Sequence, residues 1–184
     1  MGARVIRFAI VKFNAARVIG KSVVQSLGAA EDDLTIPNLW DNLLSSGKMG
    51  ILFDLNGLVN QWDRIGWGGD VDPQSGVYTY LAGVLTEAGT SVPKGFEYKD
   101  IPEGIMAYAQ LEENGKDGVS VTSCASELVA REAARYGYVY DGARGSFELE
   151  YYARERFEGR LKQGKPVILD YFSPCKKKAD SARS

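Results

Sequence analysis

Histidine is absent from all 184 residues. Its absence removes histidine general bases, serine–histidine triads and most zinc sites at once. Cysteine is nearly absent too, with only Cys124 and Cys175. Two cysteines cannot build a disulfide framework, and a reducing compartment is the simpler setting for them. Neither sign of charge dominates: 22 Lys and Arg face 24 Asp and Glu, for a formal net charge of −2. That balance gives no electrostatic footprint for nucleic acid, so direct nucleic-acid binding is not expected. No apolar run is long enough to span a bilayer, and the N-terminus lacks the charged-then-apolar pattern of a secretory signal. Together these lacks read as a soluble, cytoplasmic protein with no membrane partner. No glycine run has the strand-to-helix setting of a phosphate loop, and Asp70 and Asp72 lack the further ligand spacing of a calcium loop. No metal or cofactor is expected.

What the chain does have is apolar and aromatic surface. Apolar residues make up 45%, and there are 10 Tyr, 7 Phe and 3 Trp. This is enough for one ample core, and so many phenols also suit an aromatic-walled pocket. The stretch Gly145 to Phe157, GSFELEYYARERF, organises the rest. In an extended strand Phe147, Leu149 and Tyr151 fall on one side and Glu148, Glu150 and Tyr152 on the other. The first side can enter a core. The second gathers two carboxylates and a phenol, which make a cation or proton-transfer site if the fold closes over them, and a solvated strand if it does not.

In chain order, Val5 to Val11 and Ala16 to Val24 read as strands about a turn at Asn14, followed by a loop from Gly28 to Thr35. Ile36-Pro37-Asn38 starts a helix with Leu39, Trp40, Leu43 and Leu44 on one face, stopped by Gly47. Asn56 to Gly76 is glycine-rich, polar and without periodicity, yet holds Trp62 and Trp67. It reads as a loop or covering lid. Val77 to Val84 is a strand, as is Ile105 to Leu111, in which Ile105, Ala107 and Ala109 alternate with Met106, Tyr108 and Gln110. Glu112 and Glu113 read as a surface turn. A helix spans Ser123 to Tyr136 and stops at Gly137. Val167 to Phe172 is the last strand, and Lys176 to Ser184 a frayed basic and polar tail. Each half thus runs strand, helix, strand, strand, as a duplicated module would.

The stretches GFEYKDIPEGIMAYAQLEENG, YGYVYDG, FELEYYARERF and VILDYFSPC, in that order, resemble the GyrI-like effector-binding domains. These include the C-terminal domains of AraC- and MerR-type multidrug-sensing regulators. Upstream, ARVIGKSV, IPNLWDNLL and VYTYLAGV continue the resemblance, so it covers nearly the whole chain outside the tail. The resemblance implies an α+β fold: two β-α-β-β modules, about 1–90 and 91–175, forming one domain. Their strands make one curved antiparallel sheet, with helices packed on one side and a ligand cup at a pseudo-two-fold seam. It implies a central glutamate at Glu150, with Glu148 as its rival, and cup walls drawn from Trp40, Trp62, Trp67, Tyr78, Tyr80, Tyr108, Tyr152 and Phe172. No room precedes Val5 for a helix-turn-helix module, so a stand-alone form is expected.

Three activities follow from that resemblance. The first is binding of small aromatic, often cationic molecules, for sensing or sequestration: a carboxylate in a low-dielectric cup attracts a delocalised cation, and aromatic faces add cation–π attraction. The second is hydrolysis of cyclopropane-bearing DNA-alkylating compounds, with Glu150 or Glu148 aiming a water and Tyr80, Tyr108 or Tyr152 as donors. The third is a protein partner, gyrase being the family's example. Glu148 has a further reading, as a solvated edge residue or an ion-pair partner of Arg144 or Arg154.

Overall fold

The computed structural model describes residues 3–27, 35–113 and 119–179. Of the loop expected at Gly28 to Thr35, residues 28–34 lie outside these and Thr35 opens a helix, and the last residues of the tail lie outside too. Nine strands dominate: β1 (Arg4–Phe13), β2 (Ala16–Ser26), β3 (Arg64–Asp72), β4 (Val77–Glu87), β5 (Glu97–Ile101), β6 (Gly104–Glu112), β7 (Tyr138–Tyr140), β8 (Phe147–Tyr152) and β9 (Ile168–Lys177). The helices are α1 (Thr35–Ser45), α2 (Lys48–Phe53), α3 (Val119–Arg135) and the single turn α4 (Arg160–Lys162), which follows a π-type turn at Glu155–Gly159. Pro37 sits in the first turn of α1, where its missing N–H costs no helical hydrogen bond. No helix is long and apolar enough to cross a membrane, among the described residues.

All neighbours in the sheet are antiparallel, in the order β1-β6-β9-β8-β3-β4-β2-β5, with β7 added to β9. This order forces a curl. Strands β1 and β2 stand six places apart, which in a flat sheet is about 29 Å. Yet only Asn14 and Ala15 join them, and two residues reach roughly 7–10 Å. Likewise β5 and β6 stand six places apart, with only Pro102 and Glu103 between them. The sheet therefore curves until its two ends approach, while β1 and β5 remain unpaired as edges.

Curling divides the side chains into an inner and an outer face. Inside lies a core without helices, in which Val18, Ile65, Trp67, Leu81, Met106, Phe147 and Leu149 are buried together. Each fully buried side chain of this size contributes about 1.5–3 kcal/mol. Outside, the helices pack in two separate places on the same side of the sheet. Helices α1 and α2 place Leu43, Met49 and Leu52 against Ile19, Ala82 and Val84. Helix α3 places Val121, Ala125, Val129 and Ala133 against Ala107, Ala109, Leu111 and Leu169. Between these two packings, among the described residues, no helix packs over the middle of β3 and β8.

Three sequence expectations need correction. The stretch 56–76 is not a lid, because Arg64–Asp72 forms the central strand β3, hydrogen-bonded to both β4 and β8. Glu113 is no surface turn residue but only 1% exposed, and Glu112 accepts from Arg4 at 2.6 Å and Arg160 at 3.2 Å. Lys176 and Lys177 are not frayed: they pair with Val139 and Tyr138, and Lys176 Nζ lies 3.2 Å from Asp141.

Candidate functional site

The gap between α1 and α3 is floored by β3 and β8, and here the alternation seen in FELEYY takes effect. Phe147, Leu149 and Tyr151 enter the inner core, so Glu148, Glu150 and Tyr152 must face outward into the gap. Across from Glu150 stands Gly66, and across from Glu148 stands Gly68. The missing side chain at Gly66 is what lets the site form. A Cβ there would lie 2.0 Å from the Tyr80 hydroxyl oxygen and 2.8 Å from Glu150 Oε2.

Through that space Tyr80, on β4, reaches over β3 and donates to Glu150 Oε2 at 2.6 Å. Tyr152 donates to the same oxygen at 2.7 Å. Above them Trp40, on α1, donates its indole N–H to the Tyr80 hydroxyl at 3.2 Å. Trp40 also meets Tyr152 edge-on, ring centroids 5.5 Å apart, and Phe157 meets the other side of Tyr152 at 4.8 Å. Tyr78 is half-buried one alternation from Tyr80 and feels the Glu150 charge. Glu150 Oε1, by contrast, accepts no hydrogen bond among the described residues, and Glu150 keeps some exposure despite its depth.

Burial is the main force on these groups. It pushes the Glu150 carboxyl above its ordinary range, with the neighbouring Glu148 charge adding to it; the two tyrosine donors oppose the rise. Burial next to Glu150 also holds the Tyr80 and Tyr152 phenols well above their usual range. They stay protonated and act as donors. In Tyr80→Phe the Trp40 N–H and Glu150 each lose a partner, so unfolding in urea should show a loss of about 1–3 kcal/mol.

Glu148 is engaged differently. Tyr171 donates to its Oε2 at 2.5 Å, while Ser126 of α3 and Ser173 donate to Oε1 at 2.7 and 3.4 Å. It is not paired with Arg144 or Arg154. Arg144 donates instead to the backbone oxygens of Ile105 and Pro102, and Arg154 lies over the Trp62 ring at 5.5 Å.

Of the sequence candidates, the gap thus brings together Trp40, Tyr78, Tyr80, Glu148, Glu150 and Tyr152. Four others lie elsewhere. Trp67 is buried in the inner core. Tyr108 and Phe172 meet at a tilt on the inner side, ring centroids 4.9 Å apart, and Tyr108 donates to Asp170 there at 3.0 Å, where burial and the Asp170 charge push its phenol up to about 12. Trp62 stands 46% exposed, packed on Phe53 of α2. The sequence did carry a signal for Tyr108: alanines at 107 and 109 mark the side on which a helix comes close, which puts Tyr108 opposite. Ser126, Tyr171, Gly66 and Gly68 were not anticipated. A separate hollow of about 300 Å³ between β2 and α1, lined by Lys21, Val23, Asn38, Leu39 and Asn42 among others, includes none of the carboxylate's partners.

Sheet, helices and gap together form an α+β fold that several solved structures share. Among solved structures that share it, SAV2435 bound to tetraphenylphosphonium superposes with a TM-score of 0.63 at 14% identity, over 93% of this chain and 94% of that one. The C-terminal domain of EcmrR gives 0.58 at 9% identity over 93% and 98%. An integron cassette protein from the mobile metagenome of Vibrio cholerae, VCH_CASS2, gives 0.57 at 12% identity over 96% and 100%. At such identities the likeness is one of fold alone. No family model matches the sequence, and no curated protein matches it.

Proposed function

We propose that the protein binds small aromatic cations in the gap between α1 and α3, to sense or sequester them. The observation that carries this reading is the state of Glu150: one carboxylate oxygen held by two tyrosines, the other unengaged, within a wall of Trp40, Tyr78, Tyr80 and Tyr152. Fixed donors orient the carboxylate without neutralising it. A cation seated against Oε1 gains Coulomb attraction at reduced dielectric, and each well-placed ring adds about 0.5–2 kcal/mol. The tetraphenylphosphonium bound to SAV2435 belongs to this chemical class. In the same reading β3 and β8 are the seam of two repeated modules. The strand order supports this: outward from the seam, each half runs through its own three strands and ends on one donated by the other.

Calorimetric titration with tetraphenylphosphonium tests the reading, alongside thermal melting and mass spectrometry of the recovered compound. Saturable one-to-one binding of an unchanged compound is expected, with about 2.7 kcal/mol of stabilisation at a hundredfold excess over Kd. Failure of both tetraphenylphosphonium and a flat cationic dye to bind would overturn it. A cyclopropane-bearing alkylator recovered heavier by one water would make the protein a hydrolase.

A further inference from the structure

We propose that the gap holds a second cation subsite, at Glu148 over the bare floor of Gly68, so that its preferred ligands carry two positive centres. The inference rests on the binding role proposed above for Glu150. Three observations support it. First, Glu148 and Glu150 project from the same side of β8 and lean apart. Glu150 turns across Gly66 to Tyr80, whereas Glu148 turns to Tyr171 of β9 and Ser126 of α3.

Second, the two negative charges are uncompensated. Both carboxylates accept only from hydroxyls, and neither forms an ion pair among the described residues. Arg64, the cation at the Tyr152 end, is tied to Glu158 at 3.4 Å. Two carboxylates held close without a counter-cation repel one another, and a ligand with a single charge relieves only one of them.

Third, the floor beside Glu148 is open. Gly66 and Gly68 are successive positions on the outward side of β3, yet their surroundings differ. The space over Gly66 is filled by Tyr80 and Glu150. A Cβ on Gly68 would meet only Tyr80 Cδ2, at 3.9 Å, and Gly68 is partly exposed. Solvent reaches the sheet there, directly opposite Glu148 in the strand register. A ligand anchored by one cation at Glu150 can lie along this trough beside the Tyr80 ring, with its second cation at Glu148.

The test compares pentamidine, which carries two amidinium groups, with 4-pentyloxybenzamidine, which carries one, by calorimetry on the full chain. The wild-type protein is expected to bind the dication at least tenfold more tightly. In Glu148→Gln the ratio of the two affinities should fall at least fivefold, whereas in Glu150→Gln both affinities fall. Gly68→Ala should melt within about 2 °C of wild type, because its Cβ enters open space, and yet bind pentamidine several-fold more weakly. An unchanged affinity ratio in Glu148→Gln would overturn the proposal, as would full pentamidine affinity in a folded Gly68→Ala. Binding of tetraphenylphosphonium without discrimination between the amidines removes the second subsite alone. Failure of all three compounds removes the binding role of the gap itself.

Discussion

In Glu150→Gln the affinity for tetraphenylphosphonium is expected to fall at least tenfold, about 1.4 kcal/mol, and the pH dependence of binding to disappear. Tyr80 and Tyr152 can still donate to the amide oxygen, so the wall stays in place and only the charge is lost. The pH dependence follows from where the carboxyl titrates. Burial and the nearby Glu148 raise its pKa, so its proton is lost at higher pH than that of a free glutamate. A phosphonium has no proton of its own to lose and is attracted by the ionised form. Its affinity should therefore rise with pH through the raised pKa and level off above it, with a proton released on binding in that window. The unliganded protein behaves oppositely. A raised carboxyl pKa favours the protonated native state, so this group's contribution to stability is present below the unfolded-state pKa and is lost as pH rises through the folded one. Titrations upward from the ordinary glutamate value near 4.3 check both trends. A wild-type affinity that does not rise with pH above that ordinary value would contradict the assignment of Glu150 as the charge that binds.

Gly66→Ala is expected to destabilise the protein and dismantle the site with a single methyl group. Its Cβ would sit 2.0 Å from the Tyr80 hydroxyl oxygen and 2.7 Å from the Tyr80 ring carbon that bears it. The phenol must swing away, and with it go the hydrogen bonds to Glu150 and from Trp40. Overpacking costs about 1–3 kcal/mol and each lost hydrogen bond about 1 kcal/mol. The sum is on the order of 3–5 kcal/mol, or a melting temperature roughly 10 °C lower for a chain of this size. Displacement of the Trp40 partner should also change tryptophan fluorescence. Gly68→Ala, two residues along the same strand, provides the control. Equal melting temperatures for the two variants would mean that Gly66 is not the opening through which the site is assembled.

The strands with clear alternation were legible from sequence. Val77–Val84 and Ile105–Leu111 lie within β4 and β6, and FELEYY divides between core and gap along its alternation. Strand β3 was hidden because RIGWGGDVD combines low strand propensity with three glycines. The need at Gly66 is tertiary: it comes from Tyr80 on one neighbouring strand and Glu150 on the other. Phe172 has no marker like the alanines beside Tyr108, and alternation alone sorts residues into two sides without saying which side bears the helices. The curl, which makes those two residues part of the inner side, depends on pairings between segments about a hundred positions apart.

That separation matters during synthesis. Arg4 pairs with Glu112, 108 residues later. At roughly 5–20 residues per second, β1 is complete on the order of 5–20 s before its partner β6 exists. For that interval RVIRFAIVKF is a ten-residue, largely apolar strand with no neighbour on that side, the kind of segment that recruits other nascent chains. Arg4, Arg7 and Lys12, all exposed in the finished sheet, space positive charge along it. Charges so placed are expected to act as gatekeepers, keeping β1 soluble until β6 is made and can pair with it.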